Sequence, residues 1–325
     1  MKNMLEKISE PILDELKTFD QTFDESLKSD VKLINTVVRY IVRKKGKRLR
    51  PRLCLISAGI CGEINQKTHI VASLLEILHV ATLIHDDVVD DSHLRRGWPS
   101  INKVWKNKIS ILVGDYLFSK ALINMAKTDS MDSVNILANL ASRLSQGEIL
   151  QIEKALNKNI TEQIYFKMIS DKTASLFSAS CKLGAITSTN DQEKINSLSN
   201  FGELLGQAFQ IKDDLFDILG SESEIGKPSG YDLKKNMLTL PLISILNNKT
   251  GFSKKTFKIK LKTLSRLGNN EKIRKLIIDE GGVDYTEKKL LEISKLAEQE
   301  LDIFEDSKYK ESLKLVLNFN YKRTM

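Results

Sequence analysis

Apolar positions recur along this chain at spacings of three and four, the period of a helix with one buried face. Leu5, Ile8, Ile12, Leu16, Phe19 and Phe23 make one such stripe, and Pro11 is placed to bend or restart it near its beginning. Val31 to Val42 reads as a second helix, with Gly46 set to stop it and Pro51 to start the next. A long apolar run then ends at a cluster of aspartates after Ile84. Ile109 to Ala126 is apolar nearly all round, the mark of a central helix. Met131 to Leu156 and Ile164 to Ile186 follow, then a helix ending at Gly220 and a polar loop from Ser221 to Tyr231. Helix resumes over Asp232 to Leu246, interrupted by Pro241, and a lysine-rich stripe runs from Ser253 to Lys275. Asp279 to Gly282 marks a turn before two more amphipathic helices. The reading is all-α: a single domain over residues 1–325 with short turns and no low-complexity linker.

Composition sharpens this picture in three places. Only 5 Pro and 16 Gly punctuate 325 residues, which suits long helices. No run of 18 or more wholly apolar residues occurs, and the charged, amphipathic start (Met1-Lys-Asn-Met-Leu-Glu-Lys) is unlike a secretory signal, so a cytoplasmic protein is expected. Cys54, Cys61 and Cys181 are scattered, odd in number and flanked by apolar residues, which reads as reduced core cysteines. The net charge of +8 suits a lysine-rich surface or anionic partners. Because the lysines are spread and not interleaved with aromatics, nucleic acid is not expected as a partner. For Ser253 to Lys275 the two readings are a solvated face and contact with an anionic membrane surface.

The chemistry-bearing residues gather at two places. Asp86, Asp87, Asp90 and Asp91 close the apolar run, and Arg95 and Arg96 follow. At roughly 100° per residue, Asp86 and Asp90 lie about 40° apart on the helix, and His79 comes back to within about 20° of Asp86. An isolated aspartate cluster is usually a solvated helix end, since like charges oppose each other. Here the D-D-x-x-D spacing recurs 127 residues on, at Asp213, Asp214 and Asp217, again after an apolar helical run, with Gln210 on the same edge. Two acidic edges with no cysteine and little histidine suit Mg²⁺, which completes its shell with water and phosphate oxygens. A polyphosphate ligand follows. The basic loop of Lys47, Arg48 and Arg50 then reads as an anion site, and Lys172, mid-helix between buried turns, as a phosphate clamp rather than a snorkelling side chain. Glu148 reads as a satisfied packing residue and Lys227 as a phosphate contact from a lid loop.

Six segments resemble, in order and spacing, the trans-prenyltransferases, the all-α polyprenyl diphosphate synthases. They are GKRLRP at 46–51, EILHVATLIHDDVVDDSHLRRG at 76–97, GDYLFSKA at 114–121, KTASLF at 172–177, GQAFQIKDDLFD at 206–217 and GKPSGYDL at 226–233. The resemblance implies a helical bundle of the isoprenoid synthase type around a central active-site cavity. It implies condensation of isopentenyl diphosphate, head to tail, with an allylic diphosphate by ionisation, condensation and proton elimination. About three Mg²⁺ are implied, held by Asp86, Asp87, Asp90, Asp213 and Asp217, with Asp214 and Asp217 acting partly through water. Lys47, Arg50, His79 and Arg96 match the isopentenyl diphosphate pocket. Arg95, Lys172, Thr173, Gln210 and Lys227 match the groups around the allylic diphosphate, the last four at the bond being broken.

One position departs from the family pattern: Met237 stands where lysine is usual in the stretch from Asp232 to Pro241. It raises the alternative of a weakly active or non-catalytic partner subunit in a heteromeric synthase. A terpene cyclase would not need Lys47, Arg50 and His79, and a phosphohydrolase built on His85-Asp86 would need more histidines than His69, His79 and His93. Ala81 and Thr82, just before the first acidic motif, are small where short-chain relatives carry aromatic residues. A tunnel continuing one or two helical turns, roughly 5–10 Å, and a product of about C30 to C45 are expected. The resemblance further implies a homodimer; the membrane reading of Ser253 to Lys275 adds transient membrane-surface contact for product release.

Overall fold

The computed structural model describes residues 2–43, 46–95, 97–157, 160–219 and 238–322. Apart from one two-stranded hairpin the described chain is helical, so the all-α reading holds. Its residues form two compact units. The first comprises 1–140, 176–202 and 300–316, and the second 141–175, 203–299 and 317–325. Neither is contiguous in sequence, for the chain passes from one to the other five times.

In the first unit, α1 (Lys2–Ser9) and α2 (Leu13–Ser26) are joined by a 3₁₀ turn, Glu10–Ile12, that contains Pro11. Next come α3 (Lys32–Val42), α4 (Leu49–Cys61) and α5 (Gln66–Val89). Asn65 caps α5 by accepting from the amides of Lys67 and Thr68, while Thr68 accepts from the Asn65 amide, a reciprocal box that fixes where the helix starts. From that start α5 runs about 36 Å, and Val71, Ala72, Leu74, Leu75, Ile77, Leu78, Ala81 and Ile84 are all buried. A helix buried on most sides needs neighbours on most sides, and α2, α4 and α6 (Ile101–Ala126) supply them. The sequence places the start of α6 at Ile109. The helix begins eight residues earlier, across a break at Lys106, whose φ of +68° takes it out of helical geometry. Glycine lets α9 (Ser175–Ile186) close on α4, since a Cβ at Gly184 would collide with the Cys54 carbonyl.

Both α5 and α6 reach the length and hydropathy of a membrane-crossing helix. The apolar window of α5 is 67% buried within the protein and that of α6 only 39%. Beyond the break, Ile111 and Leu122 form an exposed stripe on α6, with Leu112 and Ile123 beside it.

The second unit is built on α11 (Leu240–Asn248), whose Leu240, Leu242, Ile243 and Ile245 are buried. Pro241 sits in its first turn, where a missing N–H costs nothing, so it starts this helix and does not interrupt one. Around it lie α8 (Glu162–Ile169), α12 (Gly251–Arg266), α13 (Asn270–Asp279) and α14 (Gly282–Gln299). The lysine-rich stripe is thus split in two by a turn through Gly268, at φ +65°. The segment read as one helix from Ile164 to Ile186 contains five residues of π-helix, Ser170–Ala174, between α8 and α9. Four of the described helices cross unit boundaries in sequence: α7 (Met131–Asn157), α9, α10 (Gln192–Leu219) and α15 (Lys308–Lys322), which ends the described chain.

Candidate active site

The first acidic motif occupies the last turn of α5. Asp90 caps it, its amide bonded to the Asp86 carbonyl at 2.8 Å, and Asp91 turns the chain away at φ +49°. The chain then folds into a short hairpin, Leu94–Arg95 against Trp98–Pro99, with Gly97 at φ +76° in the turn. That turn brings Arg95 back onto Asp87: Nε lies 2.7 and 2.8 Å from the two carboxylate oxygens and Nη2 2.7 Å from one of them. Asp87 is buried, and Asn102 also holds its backbone carbonyl at 3.1 Å. Asp86 and Asp90, one helical turn apart, remain half-buried.

Within the same unit, Arg50 Nη1 lies 3.0 Å from His79 Nε2 and its guanidinium sits 4.8 Å over the Phe177 ring. Arg48, in the same basic loop, is spoken for otherwise: it pairs with Asp20 and lies over the rings of Phe19 and Phe23. Lys47 is exposed. Ala81 is buried, and Thr82 spends its hydroxyl on the His79 carbonyl at 2.9 Å. His85 lies 3.3 Å from Asp115 on α6, away from the role a histidine-aspartate hydrolase would give it. A cavity of about 110 Å³, lined by Tyr40, Leu83, Ile84 and Trp98, borders His79, Asp87 and Arg95.

In the second unit, Asp213, Asp214 and Asp217 lie on the C-terminal part of α10. Asp214 is buried and receives two hydrogen bonds, from Tyr165 Oη at 2.6 Å and Gln210 Nε2 at 2.9 Å. The other end of the Gln210 amide accepts from Thr173 Oγ1 at 2.8 Å. Thr173, Gln210, Asp214 and Tyr165 thus form one unbroken chain. Asp213 and Asp217 stay half-buried on the adjoining edge. Lys172 reaches Glu148 at 2.5 Å and Gln151 at 3.1 Å on α7. The π turn that carries Lys172 and Thr173 is pinned from below: Asp171 is bonded by Arg143 at 2.8 Å and Lys167 at 3.0 Å. Arg143 also holds Glu203 at 2.8 Å, and these carboxylates push its pKa above the usual guanidinium range against the effect of burial.

The two motifs therefore share an internal logic. In each, the second aspartate is drawn inward and hydrogen-bonded, while the first and fifth positions, four residues apart, stand on a half-open edge. Such one-sided pairs of oxygen donors suit Mg²⁺, which keeps most of its shell for water and phosphate. Among the described residues no three His, Cys, Asp or Glu side chains converge into a self-sufficient metal site. Arg96, Lys227 and Met237 lie outside the described residues. Tyr165, Arg143 and Gln151 join the arrangement without having been singled out from sequence; a buried tyrosine two turns before the lysine was the available signal.

The sequence model of the polyprenyl synthetase family matches residues 31–278. The chain belongs to that family. With family membership comes the enzyme class: a trans-polyprenyl diphosphate synthase, a prenyltransferase that transfers alkyl groups other than methyl. The all-trans-nonaprenyl-diphosphate synthase (geranyl-diphosphate specific) of Rhodobacter capsulatus is 34% identical over 304 residues, 93% of each chain. A heptaprenyl diphosphate synthase component 2 from Bacillus subtilis is 36% identical over 236 residues, 72% of this chain and 68% of that one. Among solved structures, the polyprenyl synthase of Caulobacter crescentus, complexed with calcium and isoprenyl diphosphate, superposes with a TM-score of 0.90 at 30% identity, over 98% of both chains.

Proposed function

We propose that this polyprenyl synthase condenses isopentenyl diphosphate, head to tail, with an allylic diphosphate in a Mg²⁺-dependent reaction, giving an all-trans product of about C30 to C45. The observation that supports the metal assignment is the shared pattern of the two motifs, which sets Asp86 with Asp90, and Asp213 with Asp217, as half-buried carboxylate pairs one helical turn apart while Asp214 is buried. Asp87 completes the first set from the buried side, where Arg95 holds its carboxylate. The calcium and isoprenyl diphosphate of the Caulobacter relative support divalent metal and substrate alike. When bound, Mg²⁺ neutralises charge developing on the departing diphosphate.

The chain's own residues do the rest. Lys172, Thr173 and Gln210, with Lys227, serve the departing diphosphate, since donors fixed where charge develops lower the barrier. Lys47, Arg50 and His79, with Arg96, hold isopentenyl diphosphate; the close Arg50–His79 pair favours one anion meeting both. Ala81, which is buried, and Thr82 are assigned to the wall of an apolar tunnel that keeps water from the carbocation. Residues 1–325 act as one catalytic domain, in the cytoplasm, as a homodimer for which the exposed apolar stripe of α6 is the candidate interface. A partner-subunit role is favoured only by Met237 and by likeness to the heptaprenyl component 2.

The test is incubation of the chain alone with labelled isopentenyl diphosphate, Mg²⁺ and dimethylallyl, geranyl, farnesyl or geranylgeranyl diphosphate. Elongation that requires both metal and primer, and is lost in Asp86→Asn and Asp213→Asn, supports the reading. Incorporation only after a second subunit is added would shift it to the heteromeric alternative.

A further inference from the structure

The helix α12 carries Lys254, Lys255, Lys258, Lys260, Lys262 and Arg266 with no acidic residue, a net +6 that is most of the +8 of the whole chain. Among the described residues, none of these six cations is ion-paired to a carboxylate. Charge alone would suit a solvated face. What that reading leaves unexplained is the apolar surface on the same side: Phe252 is 84% exposed, Ile259 58% and Leu267 73%.

Phe252 and Ile259, seven residues apart, point within about 20° of each other, and Leu267 lies about 60° from Phe252. Lys255, Lys262 and Arg266 border this strip on one side and Lys260 on the other. The opposite face needs no partner, because Phe257 and Leu261 are buried in the unit's own core with Ile273, Leu276 and Ile277. So α12 is anchored by one apolar face and offers a second, ringed by cations, to the outside. A second copy of this chain is disfavoured as the occupant, since two such faces would set twelve like charges against each other, roughly twice the six counted here. A nucleic acid would use the cations but not three aliphatic and aromatic side chains in a row.

We propose that this face of α12 docks on an anionic membrane surface, with Phe252, Ile259 and Leu267 entering the headgroup boundary and the lysines meeting lipid phosphates. The inference rests on the helix surface and not on the prenyl-transfer reading. Contact of this kind would deliver a long apolar product straight to a bilayer.

The experiment is co-sedimentation of the full chain with vesicles of phosphatidylcholine alone and of equimolar phosphatidylcholine and phosphatidylglycerol, with duplex DNA as a separate binding probe. Partition onto the anionic vesicles only, weakened by salt, is expected. Combined Lys255→Gln, Lys258→Gln, Lys260→Gln and Lys262→Gln should lower it roughly 100-fold or more, and Phe252→Ser about tenfold. All these positions are solvent-facing, so circular dichroism and prenyl transfer in solution should not change. Absence of binding to anionic vesicles, or binding that ignores the lysine changes, overturns the proposal. So does DNA binding combined with vesicle binding that ignores Phe252→Ser, which would make the face a general polyanion patch. Because vesicle partition is read without turnover, an inactive enzyme that still binds would count against the prenyl-transfer reading alone.

Discussion

Tyr165 donates its hydroxyl to Asp214 at 2.6 Å and holds the middle carboxylate of the second acidic motif on the buried side of α10, about 100° around the helix from Asp213. Tyr165→Phe removes the donor and leaves a buried carboxylate oxygen short of one partner, at a cost of about 1–3 kcal/mol. Beyond lost stability, Asp213 and Asp217 share the helical turn with Asp214, so the Mg²⁺ concentration for half-maximal activity should rise severalfold. Urea unfolding and a metal titration measure the two effects. Lost stability with an unchanged metal titration would make Tyr165 a core residue only.

Arg95→Lys tests the other motif. A lysine cannot reproduce the bidentate hold on Asp87, nor the same hold on a diphosphate, and charge-assisted pairs of this type are worth about 1.5–3 kcal/mol. KM for the allylic diphosphate should rise about 10- to 100-fold while KM for isopentenyl diphosphate stays near its original value. Equal rises in both would separate Arg95 from the allylic site.

Gly147 lies where α7 meets the π turn. A Cβ there would stand 2.6 Å from the Lys172 amide nitrogen and 3.0 Å from the Asp171 carbonyl carbon. Both are backbone atoms and cannot swing aside, so Gly147→Ala must displace the turn, with a penalty of about 1–3 kcal/mol. Because Lys172 and Thr173 ride on that turn, kcat should fall more than either KM. Steady-state kinetics beside a thermal melt will tell; a lowered Tm with intact kcat would show that the turn tolerates the shift.

The cysteines make a pH prediction. All three are free, and burial pushes the Cys61 thiol up to about 11 and that of Cys181 to about 12 from an ordinary value of 9.0. The folded protein therefore keeps these protons at pH values where the unfolded chain has lost them. Stability from this source is complete below about pH 9 and declines as pH rises from 9 toward 11. Denaturation at pH 8 and pH 10 should show a smaller decline for Cys61→Ala than for the parent. Iodoacetamide should label the native enzyme only slowly at pH 8.

Ala81→Phe addresses product length. The site is buried, so the larger ring costs roughly 1–3 kcal/mol of packing strain, but it also raises a floor one turn before Asp86. Shorter products are expected on chromatography. An unchanged length profile in a folded variant would remove Ala81 from the tunnel wall.

The helices were legible in sequence because their signals are local. Pro11, Gly46 and the Gly281 turn sit where the hydrophobic period breaks, and the repeated D-D-x-x-D spacing marked both acidic edges. The π turn at Ser170–Ala174 was not legible, since five residues of wider winding leave the apolar stripe of Ile164 to Ile186 almost unshifted. Nor was the split between α12 and α13, where Gly268 interrupts a lysine-rich pattern that continues on either side. At the site, charge and spacing announced Asp86, Asp213 and Lys172. They could not show that Asp87 and Asp214 turn inward, because the partners arrive from a hairpin and from a residue 49 positions away.

The unit that holds Asp86 takes its last segment, residues 300–316, from near the end of the chain. Tyr309 there packs against Gly59 on α4, and Ser197 bonds the Glu300 carbonyl. A ribosome must therefore reach residue 316 before this half can finish closing. Until then the faces of α4 and α10 that meet this segment lack their cover, which makes the nascent enzyme a natural client for chaperones.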